Sequence, residues 1–237
     1  MKQINYCFGH QVMNATQGLR FLLASSLALT LLFLQGCTTA DFAQSISSER
    51  PVDVAKSGVL LVNINTHIYA SDGWLFIRPT GEERPFRIDA NGFDPLTEWD
   101  RVNGLKGRVF AMSLPPGDYE IHNWTLYAYG DNYGARFFKP ASPPPSFPFT
   151  IRRGEVTYIG HFTVQARSYY RAPFDQIRSP WGGRPRFFGA FAKVVDNEAQ
   201  DIQAFRKGYP SLRHLPIRTV VPAESFWKNV KAIATSY

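Results

Sequence analysis

The sequence predicts a mostly β protein, an antiparallel β-sandwich with one or two short helices near its C-terminus. Three observations predict this class. Aromatic residues make up 15% of the chain, and aromatic side chains fit the pleated, half-buried surface of a sheet. Apolar and polar residues alternate along several segments, which is the period of a strand with one buried face. Clusters of Gly and Pro separate these segments, as turns between short strands do.

The predicted strands are short segments rich in apolar, β-branched or aromatic residues. In chain order they cover residues 59–64, 74–78, 86–88, 108–114, 119–129, 147–151, 156–164 and 187–195. We expect the second and third to pair as a hairpin. Residues 89–107 are polar with several Gly, and residues 130–145 are rich in Pro and aromatics. We expect a long loop in each of these two segments.

Two of the strands predict which side chains share a face. Within 119–129 the even-numbered face turns apolar at Trp124, which predicts a strand buried on both sides from that point. Within 156–164 the alternation is the clearest in the chain. Because successive side chains of a strand point to opposite faces, we expect Tyr158 on one face and His161 on the other.

Helical spacing is found near the C-terminus. Apolar residues recur every three positions from Ala199 to Phe205, after Asp196 or Asn197, either of which can accept a backbone N–H bond at the helix start. Gly208 indicates where this helix ends. We expect a second short helix in the aromatic segment 223–230, docked on the sheet.

The N-terminal segment has the pattern of a secretory signal. Residues 21–34 carry no charge, Arg20 precedes them, and no acidic residue occurs before Asp41. A basic region followed by a short apolar run is typical of such signals. The run is shorter than the roughly 20 apolar residues that a membrane-spanning helix needs. We therefore expect an exported protein rather than one with a retained transmembrane anchor.

The apolar run leads directly into Leu34-Gln35-Gly36-Cys37. This sequence resembles the lipobox of bacterial lipoproteins, although Gln35 is a less usual occupant of its position. The resemblance implies that lipid is attached to the Cys37 sulfur, that the chain is cleaved before Cys37, and that the new amine is acylated. Three acyl chains would anchor the protein stably, since a single chain gives only marginal binding. Thr38, where Asp would favour the inner membrane, implies sorting to the outer membrane.

Three parts of the chain follow from this interpretation. Residues 1–36 are the signal peptide, residues 37–56 are a lipidated N-terminus and flexible tether, and residues 57–237 are a single β-sandwich domain. The tether assignment depends on its polar composition and the lack of a clear period. Cleavage would also remove Cys7, so Cys37 would be the sole cysteine of the mature chain and no internal disulfide is expected.

Two segments of the domain carry a further resemblance. The sequence Leu114-Pro115-Pro116-Gly117-Asp118-Tyr119-Glu120-Ile121 is similar to a turn–strand segment of transthyretin-like and carboxypeptidase regulatory-like domains. The hairpin sequence of residues 149–164 resembles one found in bacterial envelope lipoproteins. The resemblance implies an immunoglobulin-like or transthyretin-like sandwich in which Pro115 and Gly117 form a tight turn and Tyr119 enters the core. It implies a fold and no activity.

Charge indicates the kind of partner. The chain carries a formal charge of +7, and removal of Lys2 and Arg20 leaves 24 basic against 19 acidic residues, a net charge of +5. A basic exported domain favours anionic partners such as lipid head groups, lipopolysaccharide or acidic glycans, although a charge of this size is also common for solubility alone. Export disfavours nucleic acid.

Arginine and aromatic residues alternate irregularly between residues 167 and 188. Exposed aromatics beside Arg suit stacking on sugar rings or contact with anionic lipid head groups. The candidate ligand-binding residues are Arg167, Tyr169, Tyr170, Arg171 and Trp181. The alternative interpretation is that the aromatics fold over a sheet edge and the arginines keep that insertion solvated.

Catalytic and metal-binding motifs are not evident, and no cofactor is predicted. His122 and His161 are expected on neighbouring strands, but a metal site needs three or four converging ligands. No nucleophile-elbow, zinc-protease or phosphate-loop motif is present. The acidic residues of 94–100, with Asn91, leave open a calcium site or a carboxylate pair for glycan hydrolysis.

The main hypothesis is a non-enzymatic, membrane-anchored lipoprotein with a binding or envelope-structural role. Its expected partners are the membrane, through the lipid anchor, and other envelope proteins or glycans. One alternative is a glycan- or lipid-binding module that uses residues 167–188. The other is an envelope hydrolase with a site near residues 94–100.

Overall fold

A computed structural model describes residues 44–45, 52–67, 70–90, 97–100, 105–129, 135–168 and 187–235. Within these ranges the chain is mostly β, with a seven-stranded sheet, a six-stranded sheet and one α-helix. The predicted mostly β class is confirmed. No helix in this part of the chain is both long and apolar enough to cross a membrane.

Most of the strands are four to thirteen residues long, and the longest cross the middle of each sheet. In chain order they are β1 (Gln44–Ser45), β2 (Gly58–His67), β3 (Ala70–Pro79), β4 (Phe86–Asp89), β5 (Thr97–Asp100), β6 (Leu105–Leu114), β7 (Gly117–Tyr129), β8 (Ala135–Pro140), β9 (Phe147–Ile151), β10 (Val156–Ser168), β11 (Phe187–Val195), β12 (Ile217–Thr219) and β13 (Ala232–Thr235). Helix α1 (Glu198–Gly208) and a short 3-10 helix, Pro210–Leu212, lie between β11 and β12.

The first sheet has the order β1-β6-β2-β10-β11, with β5 paired to β6 and β12 paired to β10. Strands β2 and β10 are parallel, and so are β10 and β12. The other described pairs of this sheet are antiparallel, so the predicted antiparallel pairing is right for most of the sheet and wrong for these two pairs. Parallel neighbours need a long crossover connection, and the chain supplies one because all the strands from β3 to β9 lie between β2 and β10.

The second sheet has the order β13-β8-β7-β3-β4, with β9 also paired to β7. All of its pairs are antiparallel, including the expected hairpin between β3 and β4. One buried apolar cluster takes side chains from both sheets. Leu60 and Ile64 contribute from the first sheet, and Leu75 and Trp124 from the second, each fully buried.

The two predicted long loops each contain a strand, so both predictions were wrong in part. Strand β5 lies within 89–107 and pairs with β6, and β8 lies within 130–145 and pairs with β7 and β13. Strand β5 has the sequence TEWD, four residues in which two strand formers alternate with two acidic residues that are depleted in strands. Its backbone hydrogen bonds come from a neighbouring strand, which local composition does not reveal.

A bulge in β7 changes the face that this strand buries. The pairing of β7 with β3 skips His122, so one extra residue lies between Ile121 and Asn123. One extra residue reverses the alternation of side chains along a strand. Ile121 before the bulge and Trp124 after it are both fully buried. The prediction that the strand becomes buried on both sides at Trp124 was therefore wrong.

A second bulge lies in β10. The pairing of β10 with β2 shifts between Tyr158 and His161, and Gly160 in this interval has a φ of 117°. Glycine adopts such a conformation without the steric penalty that a Cβ atom brings. Because of the bulge, Tyr158 and His161 both face α1, and the prediction that they lie on opposite faces was wrong.

Helix α1 covers one end of the outer face of the first sheet. The predicted helix is confirmed. Of the apolar residues at helical spacing, Phe205 is buried and Ala199 is exposed, and Asp201 shares the buried face with Phe205. Phe205 belongs to a second apolar cluster, shared with β2, β6 and β10. Asn197 occupies the cap position without a capping bond, because its side chain instead contacts Asp201.

The second predicted helix, 223–230, is a series of turns. The backbone N–H of Phe226 donates to Ala223 over 2.9 Å, and that of Val230 donates to Trp227 over 3.1 Å. The expected docking is confirmed, since Trp227 is fully buried in the main core and its Nε1 donates to the Pro145 carbonyl. Burial of Trp227 fixes this segment without a helix.

Tyr119 of β7 lies in the core, as expected from the sequence. Tyr119 is 2% exposed, and its hydroxyl donates to the Pro115 carbonyl over 2.9 Å. Its ring stacks on Phe149 of β9 with a centroid separation of 5.9 Å. Burial, with a smaller effect of Glu82, raises the pKa of Tyr119 to about 12.

Candidate functional site

Most of the candidate residues from sequence lie outside the described residues. These are Cys37, Tyr169, Tyr170, Arg171 and Trp181. The same is true of Asn91 and Asp94, and of the side chains of residues 97–100 in the proposed calcium or hydrolase site. Arg167 is described, and it lies at a groove.

The groove is a cavity of about 550 Å³ at the β11 edge of the first sheet. It is lined by Arg167 from the end of β10, by three residues of β11 and by three of the turn segment before β13. The lining residues are Arg167, Phe191, Ala192, Lys193, Glu224, Ser225 and Lys228. Prediction from sequence identified Arg167 here but missed Lys193 and Lys228, which come from distant segments.

Pairing of β10 with β11 positions the Arg167 side chain. Arg167 lies opposite Gly189, where the lack of a side chain leaves room for the arginine to extend. Its guanidinium carbon is 5.5 Å from the centroid of the Phe191 ring. A cation over an aromatic face is attracted by the ring electrons, so this contact orients the guanidinium towards the groove.

The described part of the groove carries more basic than acidic side chains, since Arg167, Lys193 and Lys228 line it together with the single acid Glu224. Among the ion pairs described within 4.0 Å, none involves Arg167, Lys193 or Lys228. Arg167, Lys193 and Lys228 are also exposed to solvent. Clefts with an excess of one sign of charge concentrate ions of the opposite sign. The groove is therefore suited to an anion.

A buried polar network joins α1 to the first sheet. Its centre is the Asp201 carboxylate, which is 1% exposed. The Tyr158 hydroxyl and the Asn63 amide each donate to it over 2.7 Å, and the Asn197 amide donates over 3.1 Å. The His161 Nδ1 lies 3.2 Å from the Asp201 Oδ2. Burial, together with the bond to Asp201, raises the pKa of Tyr158 above its ordinary range, so its hydroxyl stays a donor.

Both ring nitrogens of His161 have partners. Its Nε2 lies 2.7 Å from the Asn65 Nδ2, and the residue is 6% exposed. When Nδ1 carries the proton it donates to Asp201, and Nε2 accepts from Asn65. A His–Asp pair can activate a nucleophile through the free Nε2, but here that nitrogen contacts an amide. His161 therefore links Asp201 of α1 to Asn65 of β2, and these contacts hold the helix against the sheet.

Sequence reasoning did not identify Asp201, although a signal was present. Asn197, Asp201 and Phe205 recur at intervals of four, so they share one face of the helix. An aspartate on the same face as a buried phenylalanine indicates a buried carboxylate that needs partners. From sequence His161 was considered together with His122, and its partner Asp201 could not be found without knowledge of the bulge at Gly160.

Metal binding has no support in the described part of the chain, where no group of three or more His, Cys, Asp or Glu residues could hold an ion. The prediction that His122 and His161 lie on neighbouring strands was wrong. His122 is in β7 of the second sheet and His161 is in β10 of the first. Burial lowers the pKa of His122, with a further effect of Arg78, which disfavours the charged form of the ring.

Comparison with known proteins identifies no family. No family model matches the chain, and no curated protein matches it. One solved structure, a leucine-rich repeat protein from Bacteroides thetaiotaomicron VPI-5482, is 14% identical with a TM-score of 0.28. The match covers 76% of this chain and 27% of that chain, so this chain spans about a quarter of that protein's length.

Proposed function

We propose that the chain is an exported lipoprotein, anchored in the outer membrane through acylated Cys37, with a domain that binds an anionic ligand without catalysis. The single observation that carries the anchor is the apolar run 21–34 leading into Leu34-Gln35-Gly36-Cys37. A thiol is the group that accepts the diacylglycerol, and the small Gly36 leaves the backbone open to a peptidase. With the signal removed, no other cysteine competes for this role.

The binding role is supported by the groove that contains Arg167. One alternative is a ligand-binding module that uses residues 167–188. It is supported by Arg167, which lines a cavity together with Lys193 and Lys228. The hydrolase alternative depends on side chains of 94–100 that lie outside the described residues. The contacts of His161 and Asp201 place those two residues in a structural network rather than in an open cleft.

The domain is also proposed to be an immunoglobulin-like or transthyretin-like β-sandwich formed by residues 57–237. Two sheets that share one apolar core support this architecture. The Tyr119 hydroxyl bonded to a carbonyl four residues upstream is similar to the tyrosine corner of immunoglobulin-like sandwiches. In the proposed sandwich, β2 and β10 are parallel neighbours within one sheet.

The anchor is tested by expressing the full chain and its Cys37→Ala variant in a bacterium with two membranes. We expect the full chain in the outer-membrane fraction, with residues 1–36 removed and labelled by radioactive palmitate. Cys37→Ala should keep residues 1–36 and take up no label. Cys37→Ser is the matched control for the volume of the side chain and should behave as Cys37→Ala does. Equal mass and equal labelling of the full chain and the variants would contradict the anchor.

A further inference from the structure

The charge of the groove matches that of a phosphate group. Arg167, Lys193 and Lys228 contribute three positive charges and Glu224 one negative charge, which gives the lining a net charge of +2. A phosphate monoester carries about −1.5 to −2 at neutral pH. We propose that this groove binds a phosphate group borne by its ligand. The inference deepens the proposed function, because it names the chemical class that the anchored domain would recognise.

The chemistry of the lining residues favours phosphate over a single carboxylate. An arginine presents several N–H donors in a rigid fork that matches two oxygens of a phosphate, and lysines act as point charges that suit a multiply charged anion. The Ser225 hydroxyl lies in the same lining and can donate to a further oxygen. The Phe191 ring already holds the guanidinium of Arg167, so less side-chain freedom is lost on binding.

Calorimetric titration of inorganic phosphate into the full chain in non-ionic detergent, at constant ionic strength set with chloride, tests the site. We expect saturable binding by the wild-type chain. Arg167→Gln and Lys193→Gln should each weaken it roughly tenfold, as the loss of one charge-assisted hydrogen bond does. Glu224→Gln should strengthen it several-fold, which a purely structural role of Glu224 would not produce. Lys139→Gln is the matched control, because Lys139 is an exposed lysine of β8 in the second sheet. This substitution should leave phosphate binding unchanged.

Phosphate can come from a lipid head group or from a soluble ligand, and vesicles separate the two sources. Vesicles of phosphatidylcholine alone are compared with vesicles of phosphatidylcholine mixed with phosphatidylglycerol. A preference for the mixed vesicles that Arg167→Gln removes assigns the phosphate to a lipid. Binding of free phosphate with no such preference assigns it to a soluble ligand. Binding of neither, or binding unchanged in both groove variants, overturns the proposal.

The same variants test the phosphate site and the lipid anchor independently. If both are correct, Arg167→Gln and Lys193→Gln should still be recovered from membranes in wild-type amounts. Cys37→Ala should lose its lipid and still bind inorganic phosphate. Circular dichroism confirms that each variant is folded, which is expected because both groove side chains are exposed. A wild-type chain that carries lipid but does not bind phosphate refutes the groove proposal alone, and one that binds phosphate but carries no lipid refutes the anchor alone.

Discussion

Replacement of Asp201 by Ala removes the acceptor on which the contact between α1 and the first sheet depends. Four donors surround the carboxylate, and the donors of Tyr158 and Asn63 lie at 2.7 Å. A hydrogen bond to a charged group contributes about 1.5–3 kcal/mol, and a buried donor left without a partner costs about 1–3 kcal/mol. These contributions share one centre and are not additive. We predict a loss of about 3–5 kcal/mol in the free energy of unfolding, the range found when one member of a buried polar pair is removed.

The loss is measured by urea denaturation of wild-type and variant chains. Asp201→Asn keeps one carboxamide oxygen as an acceptor, so it should lose about half as much as Asp201→Ala, roughly 2 kcal/mol. Gln203→Ala is the matched control, since Gln203 is exposed on the same helix. That substitution should stay within about 0.5 kcal/mol of wild type.

A second variant covers the case in which Asp201→Ala does not fold. Tyr158→Phe removes one donor and leaves the carboxylate in place, so it should cost about 1–2 kcal/mol. Combined with Asp201→Asn, it should show coupling, because the two groups are in contact. The reasoning is refuted if Asp201→Ala lies within about 1 kcal/mol of wild type, a value typical of surface substitutions rather than of a buried carboxylate.

Three further outcomes are expected. Gly160→Ala should destabilise the fold by about 1–3 kcal/mol, because a Cβ at a φ of 117° is strained; Gly117→Ala, free of close contacts, should cost much less in the same urea experiment. Trp227→Ala should lower the free energy of unfolding by about 3–5 kcal/mol and so lower the thermal midpoint. Ile233 is 45% exposed, so Ile233→Ala should change the thermal midpoint little. Burial raises the pKa of Tyr119 from 10.0 to about 12, so the native state holds this proton more tightly than the unfolded state. The resulting stability, about 2–3 kcal/mol, is present below pH 10 and lost as the pH rises through 12; urea midpoints that show no such decline, or the same decline in Tyr119→Phe, would contradict it.

Local sequence predicted most of the strands but not the way in which they pair. Alternation and turn residues indicated β2, β3, β4, β6, β7, β9, β10 and β11, because these signals depend on neighbouring residues in the chain. Strands β5 and β8 were missed because their backbone hydrogen bonds come from β6 and β7. These partners also pair with β2 and β3, so the pairing depends on the whole sheet and not on local sequence. Gly160, a lone glycine inside a strand pattern, was the available signal for a bulge. Without its φ, however, the face of His161 could not be assigned.

The candidate site was predictable only in part, for a related reason. Arg167 was found from sequence because it begins a run of arginine and aromatic residues. Lys193 and Lys228 are ordinary lysines, and they join Arg167 only because β11 pairs with β10 while Trp227 is buried in the core. The convergence of distant segments depends on long-range packing, and neither periodicity nor composition reports it.

The most direct measurement of the central proposal is the mass of the N-terminal peptide of the mature protein, isolated from cell envelopes. We predict a peptide that begins at Cys37 and carries three acyl chains, with residues 1–36 absent. A peptide in which Gly36 is still joined to Cys37 and the thiol is free would contradict the lipid anchor.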